Sequence, residues 1–206
     1  MPHVIRRPKR LGTRTSAVLV AAIVALAVPA AASAACPTTP TTKAFQAFGD
    51  SANYSLVSNG AFETGTSGWT LSGASVTNGN ESYKVHGSAD AKSLTINPTG
   101  TAVSPAFCVS VDHPTFRFFL RRTSGTWGGL AVRLRWRDAT GYTNETTVAS
   151  LDQPSAWAPT PSLKLATTLP LWQSGQTLSV QIVFDPENYG GAFTIDDVYI
   201  DPYTRG

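Results

Sequence analysis

The sequence has little with which to perform catalysis. Its 206 residues include two cysteines and three histidines. There is no H-E-x-x-H, no C-x-x-C, no Walker loop and no G-x-S-x-G elbow, which removes the common signatures of metalloproteases, thiol oxidoreductases, P-loop nucleotide hydrolases and α/β-hydrolases. No window carries apolar residues at helical spacing over a useful length, so an all-helical fold and a parallel α/β fold are excluded as well. His86 precedes a glycine and His113 precedes a proline, which places both at loops or strand ends. The pair Asp185 and Glu187 flanks Pro186 and reads as a solvated turn. No residue is assigned a catalytic role, and an enzyme is not expected.

The N-terminus holds a dense cluster of positive charge. Arg6, Arg7, Lys9, Arg10 and Arg14 precede an uncharged apolar stretch, Ala17 to Val28, which ends at Pro29 and at the small residues Ala32-Ser33-Ala34. That order describes a cleavable signal peptide over 1–34. The stretch is short and Ala-rich for a membrane anchor, and Ser33 stands where a lipoprotein signal carries leucine before its cysteine. Of 16 basic and 13 acidic residues, five basic ones and no acidic ones fall in this segment, which leaves 11 against 13 and a formal charge of −2. The apparent pI near 9.0 is thus a property of the signal, and nucleic-acid binding is not expected. The reading is of a secreted protein, extracellular or at the cell surface, with no membrane contact after cleavage.

Both cysteines, Cys36 and Cys108, follow the signal. In an oxidising compartment an isolated pair predicts a disulfide; two free thiols are the alternative. Residues 35–53 form a Pro/Thr-rich lead-in, extended and poorly packed unless the disulfide pins it. The remainder, 54–206, fits one domain.

That domain reads as all-β. Runs of β-branched and aromatic residues, separated by Gly, Pro, Asn, Asp and Ser, place strands near 54–58, 69–76, 82–86, 91–96, 102–110, 115–122, 129–138, 142–149, 161–166, 177–184 and 193–200, the pattern of a sandwich or barrel. Alternation assigns faces. Leu130, Val132, Leu134 and Trp136 oppose Arg133, Arg135 and Arg137. Leu178, Val180, Ile182 and Phe184 oppose Thr177, Ser179 and Gln181. Phe116, Phe118 and Leu120 oppose Arg117, Phe119 and Arg121. If the strands pair, Arg117, Phe119, Arg121, Arg133, Arg135 and Arg137 line one Arg-rich sheet face. Arginine forks match carboxylate or sulfate, so an acidic polysaccharide suits such a face. A solvated face balanced by Asp and Glu is the alternative. Aromatics on expected loops, Trp127, Trp157, Trp172, Tyr142 and Tyr189, are candidate sugar platforms, with Trp127 the one included in the candidate site. Trp69 and Trp136 are assigned to the core.

Two segments carry a resemblance. Asn59-Gly60-Ala61-Phe62-Glu63 with Gly68-Trp69 opens the domain, and Phe193-Thr194-Ile195-Asp196-Asp197-Val198 closes it. Together they resemble the ends of carbohydrate-binding modules of the galactose-binding-like jelly-roll class, with Ser82-Tyr83-Lys84-Val85 similar to an inner strand of those modules. The resemblance implies an antiparallel β-sandwich of jelly-roll form. It also implies a structural calcium held where the two ends converge, by Glu63 with Asp196 or Asp197; a capping role for Glu63 and solvated aspartates are the alternative. The segments Phe48-Gly49-Asp50-Ser51-Ala52-Asn53-Tyr54 and Asn80-Glu81-Ser82-Tyr83 resemble a set of bacterial secreted proteins, which implies no activity. The expected function is a non-catalytic module binding a carbohydrate or cell-envelope glycan. A structural or adhesive protein, and more remotely a small polysaccharide-active enzyme, are the alternatives.

Overall fold

The computed structural model describes residues 35–152, 155–187 and 190–202, together with Met1 and His3. The expected signal segment, apart from Met1 and His3, lies outside the described residues, as does Tyr189. Among the described residues, eleven strands occur in the order β1 (Ser55–Leu56), β2 (Thr70–Asn78), β3 (Lys92–Val103), β4 (Phe107–Ser110), β5 (Thr115–Ser124), β6 (Leu130–Arg137), β7 (Thr143–Leu151), β8 (Ala158–Pro159), β9 (Leu163–Lys164), β10 (Thr177–Pro186) and β11 (Ala192–Ile200). All pairings are antiparallel. The path runs β7-β6-β10-β3-β11-β5-β8, with β1 on β11, β2 on β3, β4 on β10 and β9 on β5.

Strand β3 turns this path into two layers. Its first half pairs with β11 through Leu94, Thr95 and Ile96. Its last residues, Ala102 and Val103, pair with Phe184 and Val183 of β10. Sequence reading divides this stretch in two at Asn97-Pro98, but the strand continues through it. Gly73 and Gly100 make the crossing possible: Gly73 has φ +58°, and a Cβ on Gly100 would lie 2.3 Å from the Gly73 carbonyl oxygen. The apolar faces assigned by alternation meet between the layers. Leu130, Val132, Leu134, Val180, Ile182 and Phe184 from one side are buried with Leu94, Ile96, Phe116, Phe118, Leu120 and Ile195 from the other. Phe118 and Phe184 cross edge to face with ring centroids 5.0 Å apart. Each such side chain contributes roughly 1.5–3 kcal/mol on burial.

The stretch expected as a strand at 82–86 is instead part of a loop, Gly79–Ala91, in which Lys84 takes φ +51°. A positive φ is costly outside glycine and breaks a pleated ladder. β8 is an additional short strand, and the expected 161–166 strand shrinks to β9.

The lead-in behaves in two ways. Cys36 and Cys108 form a disulfide, and residues 37–43 remain exposed. From Ala44 onward the segment packs, because Phe45 is fully buried with Tyr54, Phe119, Trp157 and Tyr199 in a second apolar cluster on the outer face of β5 and β11. Thr42 and Tyr54 exchange backbone hydrogen bonds of 2.8 Å. The disulfide therefore anchors one end of a segment whose other end is core. Removing a cross-link 72 residues apart in sequence raises the entropy of the unfolded chain. The double variant Cys36→Ser/Cys108→Ser is expected to lose about 2–4 kcal/mol in urea unfolding; an unchanged midpoint would show that burial of Phe45 alone holds the lead-in.

Candidate functional site

The strand register decides which expected site residues meet. In β6, Arg135 stands opposite Gln181 of β10 and opposite Glu145 of β7. Arg137 stands opposite Thr143, and Ser179 of β10 opposite Cys108 of β4. With a period of two, these polar residues project from the face that turns away from the core. They line a cavity of about 630 Å³ together with Ala106 and Trp136. Trp136, expected in the core, is half-buried: it packs against the core and also borders this cavity.

The charges on this face are partly balanced. Glu145 bridges two arginines, meeting Arg133 Nε at 2.7 Å and Arg135 Nε at 2.8 Å. Arg133 Nη2 also reaches Asp185 Oδ2 at 2.5 Å. Arg137 is exposed and forms no ion pair among the described residues. Three guanidiniums thus face two carboxylates, and the uncompensated one lies at the cavity. A guanidinium in that position offers paired N–H donors to a carboxylate or sulfate.

The single Arg-rich face expected from the sequence does not exist. β5 pairs with β11, β8 and β9, whereas β6 pairs with β10 and β7. Arg117 and Phe119 belong to the opposite layer and are buried under the lead-in, which corrects their assignment to an open ligand face. Arg117 donates from Nε to the Thr160 carbonyl at 2.9 Å and from Nη1 to Asp50 Oδ2 at 2.7 Å, and it lies 4.5 Å above the Phe45 ring. Phe119 is enclosed by Phe45, Phe48 and Tyr83 with centroids 5.5–5.6 Å away. Arg121 is half-buried over the Trp157 ring at 4.8 Å, so Trp157 is a packed residue rather than an open platform. Trp127 is 58 % exposed in the β5–β6 loop but does not line the cavity. Its carbonyl accepts from Arg122, which also binds the Gly128 carbonyl and Asp152. Tyr142 and Trp172 are exposed, and Tyr142 adjoins Thr143 at the cavity edge.

The expected calcium ligands differ in exposure. Asp196 and Asp197 are fully buried. Glu63 is exposed, and its Oε1 accepts the backbone N–H groups of Ala91 and Lys92 at 2.9 and 2.8 Å, which is the capping role. The group of three candidate ligand side chains that lie close together among the described residues, His86, Asp90 and Asp197, includes one of the aspartates but not Glu63. Two further carboxylates lie beside the aspartates: Asp90, close to Asp197, and Glu81, also buried; the backbone of Glu81 takes part directly. The Glu81 N–H donates to Asp196 Oδ2 at 2.9 Å, and its own carboxylate oxygens accept from Tyr83 and Val85. Burial, with the charge of Asp197 beside it, pushes Asp196 up to about 9; burial and the charge of Glu81 push Asp197 up to about 7.

Sequence reasoning missed Asp50, Glu81, Asp90 and Arg122. Two of them were signalled. Asp50 and Glu81 sit in the two segments whose sequence carries a resemblance to bacterial secreted proteins, and those segments meet in space: Phe48 and Tyr83 contact edge to face at 4.8 Å, directly over Phe119.

No family model matches the chain, and no curated protein matches it. Among solved structures, the CBM22-1–GH10 modules of Clostridium thermocellum endo-1,4-beta-D-xylanase 10B complexed with xylohexaose align at TM-score 0.52 with 15 % identity, over 71 % of this chain and 28 % of that one. The CBM22-1 xylan-binding domain of Paenibacillus barcinonensis Xyn10C aligns at TM-score 0.49 with 16 % identity, over 71 % and 93 %. The chain thus spans less than a third of the xylanase it matches. The fold is an antiparallel jelly-roll β-sandwich, similar to that found in the xylanase 10B modules.

The two arginine environments differ measurably. Arg117→Met removes the ionic partner of Asp50, which keeps hydrogen bonds from Tyr54 and Ala52, and is expected to cost about 2–3 kcal/mol in urea unfolding. Arg137→Ala is expected to stay within about 0.5 kcal/mol. Equal losses would contradict the separation into a packed layer and an open face.

Proposed function

We propose that this is an exported glycan-binding module, and that its binding surface is the outer face of β4, β10, β6 and β7. One observation carries the reading: a cavity of about 630 Å³ on that face brings Trp136, Gln181 and an arginine without an ion pair, Arg137, to one surface. An indole edge offers apolar contact to a sugar ring, Gln181 and Ser179 offer hydrogen bonds to hydroxyls, and Arg137 selects for negative charge. The ligand is therefore a polysaccharide bearing carboxylate or sulfate groups. The matched xylanase modules hold the neutral xylohexaose, and the open arginine is the feature of this chain that argues for an acidic ligand. The Cys36–Cys108 disulfide supports an oxidising, extracellular setting.

The reading is of binding without catalysis. The carboxylates on this face, Glu145 and Asp185, are both engaged in ion pairs with Arg133 and Arg135, so neither is free to serve as a general acid or base toward a bound glycan. Adhesion to a protein remains a second reading on one specific observation: Trp172 is 81 % exposed, outside the cavity.

A glycan array followed by calorimetry tests the proposal. Uronate-containing or sulfated polysaccharides are expected to bind more tightly than neutral ones, with affinity falling as salt rises. Arg137→Ala should weaken binding about tenfold or more, and Trp136→Ala likewise. Equal affinity for neutral and acidic glycans would remove the role of Arg137. Absence of any glycan signal, with saturable capture of a protein lost on Trp172→Ala, would establish the adhesive reading instead.

A further inference from the structure

The Gly79–Ala91 loop folds over the outer face of β11 and gathers more negative charge than any ion pair relieves. Glu81, Asp90, Asp196 and Asp197 are all withdrawn from solvent. Among the described residues none of the four pairs with a lysine or arginine; the contact of this kind is His86 Nδ1 with Asp90 Oδ2 at 2.6 Å. Most of the carboxylate oxygens are satisfied by backbone amides. Asp196 accepts from the N–H groups of Glu81 and Asp197, and Glu81 accepts from those of Tyr83 and Val85. Asp197 Oδ2 accepts from His86 N at 3.2 Å. Asp197 Oδ1, by contrast, is buried with no hydrogen-bond partner. An unpaired oxygen of a fully buried carboxylate is costly unless something positive meets it.

We propose that His86, Asp90 and Asp197 form a binding site for a divalent transition-metal ion of the zinc class. The three residues each bring one ligand atom within 4.8 Å of the others. Ligands about 2.0–2.2 Å from a shared tetrahedral ion stand roughly 3.3–3.6 Å apart, so a contraction of about 1 Å closes the set around an ion. The donor chemistry selects the metal. Calcium takes oxygen ligands, six to eight of them; an imidazole nitrogen with two carboxylates suits zinc or its neighbours. This set shares Asp197 with the calcium site expected from the sequence but replaces Glu63 with His86 and Asp90. His86 has 41 % of its side chain exposed, which gives an ion and a water ligand access from solvent. The ion would displace the His86–Asp90 hydrogen bond, accept the free oxygen of Asp197, and relieve the repulsion among the four acids. It would thereby tie the loop to β11.

Untagged protein, stripped with chelator and dialysed, is titrated with zinc chloride by calorimetry and followed by thermal melting. One zinc per chain and a rise of several degrees in the midpoint are expected, with calcium chloride binding at least tenfold more weakly. His86→Ala, at an exposed position, should fold normally and lose at least tenfold in zinc affinity; His86→Gln, which keeps the bulk but not the imidazole, should do the same. Absence of heat and of a midpoint shift with zinc would overturn the proposal. So would zinc binding unchanged in both His86 variants, or a response to calcium alone. None of these readouts involves a glycan, so failure here leaves the binding face on β6 and β10 untouched.

Discussion

The structure depends on covering β5 and β11 on both faces. Alternation gives an ordinary sandwich strand one apolar side, but β5 carries Phe116, Phe118 and Leu120 on one side and Phe119 on the other, and every residue of β11 is buried. The inner side is covered by the opposing layer. The outer side needs a second cover, and the chain supplies it from two places: the lead-in with Phe45 and Phe48, and the Gly79–Ala91 loop with Tyr83. Once Phe119 is enclosed, Arg117 beside it cannot reach bulk water, and Asp50 is the charge that makes its burial tolerable. The guanidinium adds hydrogen bonding to Thr160 and stacking on Phe45, so one side chain fastens the lead-in, β5 and the segment after β8.

That double cover makes the two outer faces unlike. The outer face of the β5–β11 layer is covered by these segments, whereas the outer face of β10, β6 and β7 carries the cavity bordered by Arg135, Arg137 and Gln181. The disulfide contributes to the asymmetry. Cys108 sits in β4 opposite Ser179, so the lead-in starts at the margin of the open face and then crosses to the closed one. The N-terminal segment is thus joined to both layers, at Cys108 by a covalent bond and at Phe119 by burial.

Much of this was legible in the sequence. The strand positions around Leu130–Trp136 and Leu178–Phe184 follow from clean alternation, and their polar partners Arg133, Arg135, Arg137, Ser179 and Gln181 do fall on one face. Alternation, however, reports which residues of a strand share a side; it does not report which strands are neighbours. The pairing of β6 with β10 is not announced by either strand, and the conditional grouping of β5 with β6, suggested by the arginines each carries on one side, is not what forms: β6 pairs with β10 and β7, and β5 with β11, β8 and β9. The long-range order β7-β6-β10-β3-β11-β5 is set by the crossing at Gly73 and Gly100, which no local pattern announces. The buried arginine was hidden for the same reason: Arg117 reads as solvent-facing until its cover, sixty-odd residues upstream, is known. The 82–86 segment shows the converse failure. Ser82-Tyr83-Lys84-Val85 has strand composition, yet Glu81 captures the amides of Tyr83 and Val85 and curls the chain back on itself.

Glu81 also explains why the two aspartates of the closing strand are tolerated. A run such as Thr194-Ile195-Asp196-Asp197-Val198 in a fully buried strand places charge where hydrocarbon is expected. The register breaks between Asp196 and Tyr199, and Asp197 takes φ +51°, so the strand bulges and turns two consecutive carboxylates toward the loop instead of alternating them across the sheet. The loop answers with amide donors from Glu81 and His86. Amides neutralise part of each charge but bring none of their own, and a third acid, Glu81, comes with them. Burial and mutual repulsion raise Asp196 and Asp197 far above ordinary carboxylates, and either protonation or a cation relieves that repulsion. The bulge, the positive φ and the free Asp197 oxygen are each unfavourable taken alone. Their concentration in one short stretch of an otherwise regular strand is understandable if they serve to hold the loop that completes the cover over Phe119.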